Sequence, residues 1–136
     1  MAESDDSGVP ADDQIKQALV LEDSELDSDM VAAALRVYGI REISVVTDVT
    51  EITDLPSGKS SLVILDLILR DSDGFEAIRL LRERDYKGRL LIVSASARDM
   101  IPQAVQLARA SGLNVIDGMP KPIDLERLKI VLAETC

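Results

Sequence analysis

The chain has no histidine and no tryptophan, and its one cysteine is Cys136. An intrachain disulfide is excluded, and a structural zinc site lacks its usual nitrogen and sulfur ligands. Tyr38, Phe75 and Tyr86 are the only aromatic residues, so the core must come from aliphatic side chains within a hydrophobic content of 46%. Bases are scarce as well: 15 Lys and Arg stand against 25 Asp and Glu, for a net charge of −10. That balance argues against a protein that grips a nucleic-acid backbone. No apolar run reaches the ~20 residues of a membrane span. The opening MAESDDSGVPADD is the opposite of a basic, apolar signal peptide. The expectation is a soluble cytoplasmic protein with no nucleic-acid and no membrane partner.

Residues 1–14 hold acids but no base, with Ser, Gly and Pro among them. Such a composition cannot bury a core, which predicts an acidic flexible tail ahead of one domain over residues 15–136. Within that domain, short aliphatic runs alternate with helical spacing. Ala18–Leu21, Ile43–Thr47, Leu62–Asp66, Leu90–Val93 and Leu113–Ile116 read as strands. Helices are predicted over Asp27–Tyr38, Glu76–Arg84, Ile101–Ala110 and Leu125–Leu132, with a shorter one over Val49–Leu55. Five strands separated by helices predict an α/β fold with a parallel sheet covered on both faces. The flavodoxin-like (βα)5 arrangement, a three-layer sandwich with strand order 2-1-3-4-5, accommodates that pattern.

The stretch LVILDLILRDSDG places Asp66 inside an aliphatic run, where a carboxylate is costly to bury without a partner. In open α/β sheets, function gathers beyond the carboxyl ends of the strands. There the first strand ends in Glu22-Asp23, the third in Asp66 and the fourth in Ser94, while the fifth runs towards Lys121. Taken singly, Asp66 reads as a turn cap, Glu22-Asp23 as a solvated strand end, Ser94 as an ordinary serine and Lys121 as a surface lysine. Their convergence on adjacent strand ends points to chemistry. Clustered carboxylates suit Mg²⁺, and a hydroxyl and an ammonium opposite can hold phosphoryl oxygens. Two other patterns fail. Asp71-Ser72-Asp73-Gly74 lacks the remaining ligands of a calcium loop. Ser57-Gly58-Lys59-Ser60 precedes a strand, whereas a P-loop follows one.

The segments LVLED, LVILDLILRDSDGFEAI, LLIVSA and MPKPID together resemble, in order, those of a response-regulator receiver domain of the CheY-like kind. The resemblance covers about Gln17 to Ala133. It implies that Asp66 is the phospho-acceptor, that Glu22, Asp23 and Asp66 bind Mg²⁺, and that the Ile68 carbonyl is a further ligand. It implies that Ser94 and Lys121 contact the phosphoryl oxygens, with Ala95 the small residue beside the hydroxyl. Ile68 and Ser96 would tune dephosphorylation, and Lys121–Pro122 would be cis. The phosphoryl donor would be a sensor histidine kinase or a histidine phosphotransfer protein. The signal would leave by contact with a protein target through the last two helices and the fifth strand, or the chain would serve as a phosphorelay intermediate or phosphate sink. Such a protein is not a conventional enzyme.

Three departures stand out. Glu22 replaces a common Asp, Arg70 a common Pro, and Gly118 a common aromatic residue three places before the lysine. The segment GLNVIDGMPKPID is also about two residues longer than usual, similar to receivers attached to cyclic-di-GMP phosphodiesterase domains. Two alternatives stay open: a receiver-fold interaction module that does not use phosphorylation, and a flavin- or nucleotide-binding flavodoxin-like protein. The second needs a phosphate loop after the first strand, where Glu22-Asp23-Ser24-Glu25 would repel phosphate.

Overall fold

The computed structural model describes residues 14–69, 74–95 and 100–134. All of the predicted acidic tail except Gln14, together with Arg70, Ser96 and most of the Asp71–Gly74 turn, lies outside the described residues. Five strands, β1 (Gln17–Leu21), β2 (Glu42–Val46), β3 (Ser61–Asp66), β4 (Arg89–Ser94) and β5 (Asn114–Pro120), form one parallel sheet in the order β2-β1-β3-β4-β5. Four helices, α1 (Glu25–Val37), α2 (Gly74–Glu83), α3 (Met100–Ala110) and α4 (Leu125–Glu134), cover it. This is the flavodoxin-like architecture expected from the alternation of strands and helices. No helix among the described residues is long and apolar enough to cross a membrane.

Every residue of β3 and β4 is buried, as strands covered on both faces require. Alternate side chains divide between two cores. Leu19 and Leu21, Val63 and Leu65, and Leu90 and Ile92 face the layer of α2 and α3, meeting Ile78, Leu81, Ala104 and Ala108. Ala18 and Val20, Leu62 and Ile64, and Leu91 and Val93 face α1 and α4, meeting Val31, Leu35 and Leu128.

β5 departs from this simple alternation. Leu90 pairs with Val115 but Leu91 pairs with Asp117, leaving Ile116 as the extra residue of a bulge. The bulge reverses the parity of the strand. Val115 joins the α2–α3 core, whereas Met119, four residues on, joins the α1–α4 core. It also turns Gly118 towards α3, where an added Cβ would lie 2.6 Å from Cγ2 of Ile101 and 2.9 Å from Cγ2 of Val105. The strand predicted over Leu113–Ile116 is therefore corrected to Asn114–Pro120.

The helix predicted over Val49–Leu55 is also corrected. Only a 3-10 turn forms, Val49–Glu51. Pro56 disfavours the α conformation at Leu55, and Asp48 makes no side-chain cap to the turn. Glu51 instead folds back to accept from the Thr47 backbone N–H at 2.7 Å.

Candidate phosphoryl-transfer site

The carboxyl ends of β1, β3, β4 and β5 meet where the sequence places Glu22, Asp66, Ser94 and Lys121. β1 ends at Leu21, and the chain turns at once into α1. Ser24 makes that turn. Its hydroxyl accepts from the Asp27 backbone N–H at 3.3 Å, its carbonyl from the Ser28 N–H at 2.9 Å, and its own N–H donates to Oε2 of Glu22 at 3.1 Å. The cap thus satisfies orphan helix donors and points Glu22 inward, where it is only 3% exposed.

Asp66 is the last residue of β3 and equally buried. Its Oδ1 accepts from the Ile68 backbone N–H at 3.0 Å, and its Oδ2 from the Lys121 ammonium at 2.9 Å. Behind it, α2 begins at Gly74, whose N–H donates to the Leu67 carbonyl at 3.0 Å. An added Cβ on Gly74 would come within 2.7 Å of Leu67 Cα and 2.9 Å of the Asp66 carbonyl oxygen. Only glycine lets this helix start so close to the end of β3.

Ser94 ends β4 with no exposed surface, and its carbonyl accepts from the Lys121 N–H at 2.9 Å. The Lys121–Pro122 bond is cis, as expected. Among the described residues, every buried side-chain nitrogen or oxygen has a hydrogen-bond partner. The buried polar groups here are paired, as low-dielectric surroundings demand.

Carboxylate oxygens of Glu22, Asp23 and Asp66 all lie within 4.8 Å of one another. Lys121 reaches Glu22 and Asp66, and also Oδ2 of Asp27 at 3.0 Å. Burial pushes the Glu22 carboxyl up from the ordinary range, against the pull of Lys121 and the Ser24 amide. Burial also works against the Lys121 charge. The carboxylates of Glu22, Asp66 and Asp27 outweigh it and hold the ammonium above the usual lysine range. The donor set around the three carboxylates is all oxygen and net negative. That suits a hard divalent cation such as Mg²⁺ and not a thiophilic metal.

The structure therefore brings Glu22, Asp23, Asp66 and Lys121 together and sets Ser94 one strand over, tied to Lys121 through the backbone. Ile68 supplies its amide to Asp66 while its side chain is 44% exposed. Asp27 is the participant that sequence reasoning assigned only to a helix start. A signal was available. Helical side chains lean back towards the N-terminus, so an Asp in the first turn after an acidic pair overhangs that pair.

A family model of the response regulator receiver domain matches residues 18–133. The chain belongs to this family. Among solved structures, this receiver is similar to a response regulator from Colwellia psychrerythraea, with 27% identity over 88% of this chain and 94% of that one and a TM-score of 0.77. It is also similar to the receiver domain of a sensor histidine kinase from Pseudomonas aeruginosa PAO1 that has magnesium coordinated in its active-site cleft. There the identity is 21% over 89% of this chain and 97% of that one, with a TM-score of 0.70. A CheY-like receiver from Methylobacillus flagellatus shares 22% identity over 90% of this chain and 100% of that one, also with a TM-score of 0.70. The last two likenesses speak to fold alone. No curated protein matches. Receivers as a family bind Mg²⁺ in the cleft and work with histidine kinases or phosphotransfer proteins, the partners of two-component signalling.

Proposed function

We propose that this receiver accepts a phosphoryl group on Asp66 from a phosphohistidine of a sensor kinase or phosphotransfer protein. The observation that carries the reading is the Lys121 ammonium 2.9 Å from Oδ2 of Asp66, beside the three carboxylates whose oxygens lie within 4.8 Å. A carboxylate oxygen of Asp66 attacks phosphorus, an O–P bond forms, and the P–N bond to the donor imidazole breaks. The imidazole leaves as a neutral ring after taking up a proton, and Asp66 becomes an acyl phosphate. Water later attacks phosphorus, returning the carboxylate and inorganic phosphate.

Glu22, Asp23 and Asp66, with the Ile68 carbonyl, would hold Mg²⁺, which when bound neutralises charge on the phosphoryl oxygens. Lys121 neutralises further oxygen charge as a point donor already in place, which reduces reorganisation during transfer. Ser94 donates its hydroxyl to a phosphoryl oxygen. The two buried strand ends shield the reacting atoms from bulk water and strengthen each of these contacts. The protein acts as a stoichiometric acceptor in the cytoplasm. The added charge biases the loops after β3 and β4, and the change is read by a protein target at the α3–β5–α4 face or passed along a phosphorelay.

The test is incubation with acetyl phosphate and Mg²⁺, followed by intact mass. The expected result is a gain of one phosphoryl group in the wild type and none in Asp66→Asn. No gain in the wild type, or equal gain in both, overturns the reading.

A further inference from the structure

Lys121 has three carboxylate partners, and phosphoryl transfer engages two of them elsewhere. Glu22 and Asp66 belong to the group suited to a cation, and Asp66 also becomes an acyl phosphate. Asp27, in the first turn of α1, lies 3.0 Å from the ammonium and is not one of that group. We propose that Asp27 is a positioning residue, which keeps the Lys121 ammonium at the acceptor while Glu22 and Asp66 turn to the cation and the phosphoryl group. The inference rests on the phospho-acceptor reading of Asp66 and extends it to α1.

The Lys121 side chain is 11% exposed, and a buried ammonium stripped of its partners is costly. It must therefore keep an anion throughout the reaction. Asp27 is 39% exposed, so its carboxylate meets that need with little desolvation of its own. Its position is tied to the site, because its backbone N–H donates to the Ser24 hydroxyl in the same turn that aims Glu22.

Competition for Glu22 makes the role measurable. Lys121 and a divalent cation both seek that carboxylate. With Asp27 present, the ammonium has another anion to hold and releases Glu22 more readily. With Asp27 removed, Lys121 stays on Glu22 and the cation must compete harder. A charge-assisted pair that is partly exposed is worth about fivefold in such an equilibrium.

The experiment titrates MgCl₂ into the full chain without a phosphoryl donor, following backbone amide shifts by NMR. It compares wild type, Asp27→Asn, Asp27→Ala, Asp27→Glu and Glu25→Gln. Glu25 shares the first turn of α1, so its variant controls for loss of charge and of helix-dipole support there. Half-saturating Mg²⁺ is expected to rise about fivefold in Asp27→Asn and Asp27→Ala, and to stay near the wild-type value in Asp27→Glu and Glu25→Gln. The initial rate of adduct formation from acetyl phosphate should fall in the same order. An unchanged midpoint in both Asp27→Asn and Asp27→Ala, or an equal rise in Glu25→Gln, overturns the proposal. Asp27→Asn keeps the side-chain shape, so the conclusion does not depend on Asp27→Ala folding. A wild type that forms no adduct overturns the acceptor reading itself. A wild type that forms one while Asp27 variants match it at every Mg²⁺ concentration overturns only the role of Asp27.

Discussion

Gly118 of β5 lies directly beneath Ile101 of α3, so close that an added Cβ would stand 2.6 Å from Cγ2 of that side chain. In many receivers an aromatic ring occupies this strand position. Here α3 itself fills the space, with Ile101 and Val105 against the strand backbone.

Substitution of Gly118 should therefore act through α3. Gly118→Ala is expected to destabilise the protein by about 1–3 kcal/mol, the usual cost of overpacking. Combining it with Ile101→Ala should recover part of that loss, since the two changes relieve one clash and so are not additive. Urea unfolding of the two single variants and the double variant measures the coupling. Additive effects would mean that contact with Ile101 does not set the cost.

Gly74 makes a second close approach, this time to backbone. An alanine there meets Leu67 Cα at 2.7 Å and the Asp66 carbonyl at 2.9 Å, neither of which can rotate away as a side chain can. Gly74→Ala should cost about 1–3 kcal/mol by the same overpacking argument. It should also slow adduct formation, because relief requires shifting Asp66, the proposed acceptor. Melting curves and acetyl phosphate kinetics on one sample separate the two effects.

Tyr86 permits a prediction in alkali. Its hydroxyl donates to the Arg89 carbonyl at 3.0 Å and accepts from Ser61 at 3.2 Å. Burial pushes the phenol well above its ordinary value. The folded state thus favours the neutral phenol. Its stabilising contribution is complete below the unfolded value of about pH 10 and is lost progressively as pH rises beyond it. At neutral pH, Tyr86→Phe should cost about 1 kcal/mol. The gap between wild type and Tyr86→Phe should narrow above about pH 10. Denaturation at pH values on both sides of 10 checks it, and a constant gap would contradict it.

Asp66 was legible because parallel strands covered on both faces form unbroken aliphatic runs, in which a lone carboxylate stands out at the strand end. Glu22, Asp23, Ser94 and Lys121 were legible for the related reason that topology sends those strand ends to one edge. The bulge at Ile116 was not. Its cause is tertiary: Met119 must reach the α1–α4 core while Gly118 passes under α3, and neither requirement is visible in a local pattern. The Val49–Leu55 segment misled because apolar spacing over so few residues does not decide between a helical turn and a loop. Asp27 escaped because the backward lean of a first-turn side chain was the only local sign of its contact with Lys121, 94 positions away.

Asp66, and no other carboxylate of the acidic cluster, is the proposed recipient of the phosphoryl group. Borohydride reduces an acyl phosphate to the alcohol and releases phosphate, which would leave homoserine at the modified aspartate. The deciding measurement is peptide mapping by tandem mass spectrometry after phosphorylation with acetyl phosphate and Mg²⁺ and reduction with borohydride. The expected result is homoserine at position 66 with Glu22, Asp23 and Asp27 unchanged. Reduction at any of those three, or an intact Asp66 in protein whose mass shows the adduct, would contradict it.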